Sequence, residues 1–330
     1  MKYAFAEVPS ILQKIGSISH KDPARQYLLS YLCALFAELP YHHIPQLEFD
    51  KRKRAKIISS EAYNKLRSLK IKGGHDVRLA LAQLSADDEV ELPKAIVAET
   101  EGCVAVGMQF ENILFIGFRG TVFTSYFDWW INGRGNKIHL KTPSRHWPRQ
   151  FFEHRPGLFH AGFAKEAERI SKEIDKEFTN TQIREIDEVY LCGHSLGGAV
   201  AAVAQEYIRY ADAPVYMYGA PRYCDDEAYA ALPYVVPRQY RRSGDMVPTV
   251  PPLWMGYGEH VQQYDLNGNE LSPVKENIAI GSFRWMRFAG GCFKSHSMER
   301  YRGDLGRTAN IVAPDLPLIP LPKIKGWHLW

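Results

Sequence analysis

The stretch that most constrains this chain is residues 187–204, "DEVYLCGHSLGGAVAAVA", where a short β-rich run gives way at once to an alanine-rich helix. Gly193 and Gly197 flank Ser195 at the change. A backbone can turn this abruptly only where segments approach closely, and small residues permit that approach. Gly-x-Ser-x-Gly arises by chance in roughly one of ten chains of this length at ordinary glycine and serine frequencies. The pentapeptide alone therefore decides little, and its setting has to carry the argument.

That setting is a strand–helix alternation. "KAIVAET", "CVAVGMQF" and "ILFIGFRG" read as successive strands at 94–100, 103–110 and 113–120. "HAGFAKEAERISKEIDKEF" predicts an amphipathic helix over 161–178. After the strand before Ser195 come a helix over 195–211, the strand "PVYMYGAP", a short helix "DDEAYAAL" and a strand over 234–242. The rhythm predicts an α/β fold with a mostly parallel central sheet flanked by helices. Ser195 then sits between a strand and a helix, as a nucleophile elbow requires.

A serine hydroxyl is a weak nucleophile at neutral pH and needs a histidine base oriented by a carboxylate. With the order Ser, acid, His, the histidines after Ser195 are His260, His296 and His328. His296 precedes a predicted helix near the chain end, which suits a loop-borne base. His260 begins a predicted hairpin and reads as a buried structural histidine, and His328 lies in a Pro-rich tail. Asp245 follows the strand over 234–242 and is the expected acid. Asp225 and Asp226 suit N-capping of the helix after them. For the oxyanion, the backbone N–H of Leu196 and a second donor after an upstream strand, Thr121, are expected. By itself "FRGT" is also compatible with a plain strand-ending turn.

Several stretches bear on partners and place. Phe123, Tyr126, Phe127 and Trp130 recur at helical spacing and read either as the apolar face of a lid that opens onto lipid or as core packing. Lys141, Arg145, Arg149 and Arg155 alternate with Trp147, Phe151 and Phe152, which suits an anionic lipid interface or an ordinary surface loop. A formal net charge of +4 over 330 residues is too small to imply a nucleic-acid partner. No apolar run approaches the ~18 residues of a spanning helix. The apolar run near the N-terminus is interrupted by Glu7, Pro9, Gln13 and Lys14, so no Sec-type signal is expected. Five widely separated cysteines fit a reducing compartment. Together these predict cytoplasmic synthesis, with non-classical export left open.

The segments "GFRGT", "DWW", "HAGF", "GHSLGGA", "YGAPR", "GDMVPTVPP" and "HV", followed by His296 with Tyr301 five residues on, occur in that order over about 95–302. In this respect the chain resembles the fungal-type class 3 lipases. The resemblance implies an α/β-hydrolase fold and a lipase or carboxylic ester hydrolase that uses no metal or organic cofactor. It carries the nucleophile to Ser195, the acid to Asp245, the base to His296 and the oxyanion donors to Thr121 and Leu196. It gives structural roles to His160 and His194, and implies a lipid ester substrate at a membrane or emulsion surface. The "DW" pair stands farther from "RGT" than in many members, which implies a longer oxyanion loop. The expected organisation is one α/β-hydrolase domain over 1–330, comprising a helical N-terminal extension (1–90), a catalytic core (91–305) and a Pro-rich tail (306–330). Triacylglycerol, monoacylglycerol and phospholipid esters all remain open, as do a soluble esterase or thioesterase and a non-catalytic binding scaffold.

Overall fold

The structure, a computed structural model, describes residues 3–43, 76–120, 136–143, 152–181, 185–208, 212–231, 235–272 and 295–320. The strands begin with β1 (Ile96–Glu99), β2 (Cys103–Phe110) and β3 (Ile113–Gly120), an antiparallel meander. Short strands β4 (Lys137–Ile138), β5 (Lys141–Pro143), β6 (Phe152–His154) and β7 (Phe159–His160) form two small ladders outside the main sheet. Then come β8 (Glu188–His194), β9 (Val215–Tyr218), β10 (Arg238–Tyr240) and β11 (Gln262–Tyr264). The main sheet runs β1-β2-β3-β8-β9-β10-β11, parallel from β3 onward. This is the α/β-hydrolase arrangement, with β8 in the middle and covered on both sides.

The helices are α1 (Val8–Ser17), α2 (Pro23–Glu38), α3 (Val77–Asp88), α4 (Ala161–Thr181), α5 (Leu196–Ala204), α6 (Asp226–Ala230) and α7 (Met298–Thr308). Period-two alternation along the strands divides the core. Leu114, Ile116, Val189, Leu191, Val215 and Met217 face α4 and α5. Phe115, Tyr190, Cys192, Tyr216 and Tyr218 face α1, α2, α3 and α7. In α4 the buried Phe163, Ala167, Ile170, Ile174 and Phe178 recur at spacings of three and four, one stripe on an otherwise charged helix.

Helix α2 is the opposite case. Every residue from Leu28 to Glu38 is buried, so it is a core element. Phe36 stacks on Phe115 with ring centroids 4.6 Å apart, and the aromatic row continues through Tyr190, Tyr216, Tyr240 and Tyr264 on neighbouring strands. Three tyrosine hydroxyls of these strands find partners on the helix. Gln26 Nε2 donates to Tyr216 at 3.1 Å, Ser30 Oγ bonds Tyr240 at 2.5 Å, and Tyr218 donates to the Ser30 carbonyl at 2.6 Å. A buried polar group without such a partner would be destabilising.

The two ends of the described chain meet on this face. Arg302 of α7 donates to Glu38 of α2 (2.6 Å) and to the carbonyls of Pro314 (2.7 Å) and Leu316 (2.9 Å). Burial raises the Glu38 carboxyl, but Arg302 and His42 outweigh it and hold the carboxyl below its ordinary range. The carbonyls of Pro317 and Leu318 accept from Ala4 and Phe5 N–H at 2.8 and 3.0 Å. Residues 311–319 thus strap across the N-terminal turn.

Differences from the expected elements have local causes. The helix after Ser195 ends at Ala204 instead of 211, where Glu206 and Tyr207 turn back to the Val203 and Ala204 carbonyls. The strand expected over 234–242 is reduced to Arg238–Tyr240, following Pro237, which has no N–H to donate to a ladder. Asp225 caps α6 as expected, accepting from Ala228 N–H at 2.9 Å.

Candidate active site

Ser195 stands at the C-terminal end of β8, immediately before α5, with φ 57° and ψ −130°. Few non-glycine residues adopt positive φ, and here it aims the hydroxyl out of the elbow. The turn closes against β3, since a Cβ on Gly197 would run into the Phe118 carbonyl. Gly120, the last residue of β3, lies against the Leu196 side chain. Leu196 opens α5, so its N–H is among the helix-initiating amides with no acceptor inside the helix.

The structure brings Ser195, His296 and Asp245 into one hydrogen-bonded line. His296 Nε2 lies 2.8 Å from Ser195 Oγ, and His296 Nδ1 lies 2.8 Å from Asp245 Oδ2. An ionised carboxylate only accepts, so Nδ1 carries the ring proton and Nε2 presents its lone pair to the serine hydroxyl. Asp245 and His296 are both buried, each 4% exposed, while Ser195 remains half-buried. The second carboxylate oxygen, Oδ1, accepts from Val247 N–H at 2.9 Å.

Two further residues shape this line. Tyr301 Oη donates to Asp245 Oδ2 at 2.7 Å while accepting from Arg242 N–H at 2.9 Å. Burial, and then the Asp245 charge, push the tyrosine hydroxyl well above its ordinary pKa, so it stays a donor. Gly219 follows β9 at φ +60°, and a Cβ there would stand 2.6 Å from Asp245 Oδ2 and 3.0 Å from His296 Nδ1. Glycine at this position keeps the space occupied by Asp245 and His296 open. The sequence carried both residues inside "YGAPR" and the spacing from His296 to Tyr301, yet neither drew a role from residue type alone.

The other predicted residues fall as follows. Thr121 and the four aromatic residues Phe123, Tyr126, Phe127 and Trp130 lie outside the described residues. Of the basic and aromatic loop, Arg155 pairs with Glu206 at 3.1 Å and donates to the Ala231 carbonyl, so it is tied to the body of the fold. Lys141 lies over the exposed Phe152 ring at 5.5 Å. His260 is buried, with Nδ1 3.0 Å from Tyr229 Oη, and burial followed by the charges of Arg222 and Arg241 pushes its pKa down to about 3. His160 is also buried, its Nδ1 accepting from Gly162 N–H at 3.2 Å, and burial lowers its pKa to about 4. No helix among the described residues is long and apolar enough to cross a membrane.

The profile of the family Lipase (class 3) matches residues 115–255, which run from β3 through the elbow and Asp245 to Met255. A secreted mono- and diacylglycerol lipase 1 of Fusarium solani is 32% identical over 117 residues, covering 34% of this chain and 35% of that protein. Lipase A of Sodiomyces alcalophilus is 29% identical over 169 residues, covering 43% of this chain and 40% of that protein. The chain thus spans well under half the length of these relatives. Among solved structures, the Lip2 lipase of Yarrowia lipolytica superimposes with a TM-score of 0.49 at 16% identity, covering 74% of this chain and 81% of that one.

These relatives correct one expectation. The interrupted apolar run and unpaired cysteines predicted cytoplasmic synthesis without a Sec-type signal, yet the Fusarium relative is by name a secreted protein. The physical reason lies in the core. Cys33, Cys103, Cys192 and Cys224 are buried and fill space as small apolar groups, and the run holding Phe5, Val8 and Ile11 packs beneath α2. Both features report packing, not compartment. Over residues 115–255, the segment that carries the elbow and Asp245, the chain is thus similar to the Lipase (class 3) family.

Proposed function

We propose that the chain is a serine-dependent carboxylic ester hydrolase acting on acylglycerol esters, with Ser195 as nucleophile, His296 as base and Asp245 as the acid that orients it. The observation that carries this reading is the unbroken line from Ser195 Oγ through both ring nitrogens of His296 to Asp245 Oδ2, each contact 2.8 Å. His296 takes the serine proton as Oγ attacks the ester carbonyl, and Asp245 stabilises the imidazolium that forms. The Leu196 N–H, with Thr121 as second donor next after Gly120, receives the oxyanion. The proton on His296 then passes to the departing alcohol. Water repeats the cycle on the acyl-enzyme and releases the fatty acid.

Acylglycerols are favoured over other esters because the Fusarium relative bears the name of a mono- and diacylglycerol lipase. The substrate is presented at a membrane or emulsion surface, as water-insoluble acylglycerols require. The fold acts as one hydrolase unit, because α2 from the N-terminal region and the strap over 311–319 both bury the same sheet face.

Hydrolysis of monoacylglycerol, triacylglycerol and phospholipid dispersions, beside a medium-chain p-nitrophenyl ester, tests the proposal in wild type and Ser195→Ala. Loss of the serine is expected to lower kcat by up to ~10⁶-fold on every substrate turned over. Equal rates in wild type and variant remove the nucleophile assignment. A phospholipid preference moves the substrate class to phospholipase, and turnover of the soluble ester alone moves it to a soluble esterase.

A further inference from the structure

His194, the residue before the nucleophile, is fully buried between Tyr41 and His296. Its Nε2 lies 2.7 Å from the backbone carbonyl oxygen of His296, and its Nδ1 lies 2.8 Å from Tyr41 Oη. A carbonyl only accepts, so Nε2 carries the proton. In the neutral ring Nδ1 is then a lone pair, and the Tyr41 hydroxyl donates to it. The opposite tautomer would set lone pair against lone pair at 2.7 Å.

The surroundings hold this state. Burial, and then the neighbouring His296, push the His194 pKa well below the ordinary histidine range, so the ring is neutral. Burial raises the Tyr41 hydroxyl, which therefore keeps its proton. Tyr41 stands on the 3-10 turn Leu39–His42 that ends α2, with the Arg119 guanidinium 6.0 Å over its ring. The His194 and His296 rings are 4.5 Å apart. A second positive charge on His194 would therefore oppose the imidazolium that forms on His296 during acyl transfer.

Resting on the hydrolase reading above, we propose that Tyr41 is a positioning residue for the base. By donating to His194 Nδ1 it holds the ring and tautomer whose Nε2–H grips the His296 carbonyl, and so keeps His296 in line with Ser195. The base is then held from both ends, its ring by Asp245 and its backbone by His194. The second hold originates in the N-terminal region, outside the residues 115–255 that match the family. Without the Tyr41 hydroxyl the buried Nδ1 has no donor, and the ring turns away from the carbonyl.

Two readouts test this, and Tyr41→Phe is close enough in shape to fold. In ¹⁵N-histidine NMR spectra, wild-type His194 is expected as the Nε2–H tautomer with a hydrogen-bonded Nδ1, a signature that Tyr41→Phe loses. On a soluble p-nitrophenyl ester the same variant is expected to lower kcat by about 10- to 100-fold with KM unchanged, the scale of a misplaced catalytic group. The decisive comparison uses His194→Gln, whose amide N–H reaches the His296 carbonyl and has no tautomer to select. On that background Tyr41→Phe is expected to cost nothing further. Wild-type kcat and spectra in Tyr41→Phe, a rise in KM in place of the fall in kcat, or an equal loss on the His194→Gln background would each overturn the proposal. An inert wild type with the expected His194 spectrum instead overturns the hydrolase reading, while the spectrum alone upholds the Tyr41–His194 arrangement.

Discussion

At the scale of single residues, Asp245 shows how much of a carboxylate's character lies in what surrounds it. Its Oδ2 receives both His296 Nδ1–H and the Tyr301 hydroxyl, at 2.8 and 2.7 Å. Tyr301→Phe removes one donor and leaves the ring in place. The expected outcome is a kcat lower by about tenfold with KM on a soluble ester unchanged, since a hydrogen bond to a charged group is worth roughly 1.5–3 kcal/mol and part of it acts in both ground and transition states. Steady-state kinetics decide it, and an unchanged kcat would show that Tyr301 serves packing alone. That Ser195, Asp245 and His296 would meet was legible in the sequence because chemistry and chain order limit the choice. Tyr41 was not, because nothing in residue types announces a contact with His194 across 153 positions.

Among elements, strand ends do the positioning. Ser195 follows β8, Gly219 follows β9, and Asp245 comes after β10, so the parallel sheet brings the parts to one edge. Gly219→Ala places a methyl group beside the Asp245–His296 contact at a φ that side chains avoid. The variant is expected to remain folded while losing about 100-fold in kcat, the cost of a displaced catalytic pair. Circular dichroism and ester hydrolysis measured together distinguish this from general unfolding, and a folded variant of wild-type activity would remove the argument. The strands β2, β3 and β8 were readable as short β-rich runs, buried on both faces. Helix α5 was overextended because Gln205–Tyr207 continue the helical composition, whereas Gln205 Nε2 in fact bonds the Ala213 and Val235 carbonyls beyond the turn. What α2 packs against was hidden for a different reason. A helix buried all round has no polar face to reveal what it packs against.

For the molecule as a whole, buried neutral histidines couple stability to acidity. His160 and His260 have pKa values of about 4 and about 3, down from an ordinary 6.5, and His194 also lies well below it. Unfolding restores the ordinary value, so below about pH 6.5 the unfolded chain binds protons that the folded one refuses. Their stabilisation is complete above that pH and is lost as the pH falls toward 4. Each histidine contributes a slope of about 1.4 kcal/mol per pH unit within its window. Urea unfolding midpoints at pH 7, 6 and 5 are expected to decline in that order. A constant midpoint across the range would show that these rings are not held neutral in the folded protein.

The closure of one sheet face by both α2 and α7 also bears on how the chain is made. As residues leave the ribosome in order, α2 precedes every strand of the main sheet, whereas Arg302, a partner for Glu38, and the strap over 311–319 follow them all. Until then Glu38 lacks its Arg302 partner and the tyrosine-rich face of β9 and β10 lacks its final cover. Such half-covered intermediates are the species that aggregate and that chaperones retain. His296 emerges just ahead of Arg302 and the strap, two residues before α7. Cover and the histidine proposed as base therefore arrive together, and the line from Ser195 to Asp245 cannot form until the fold can close.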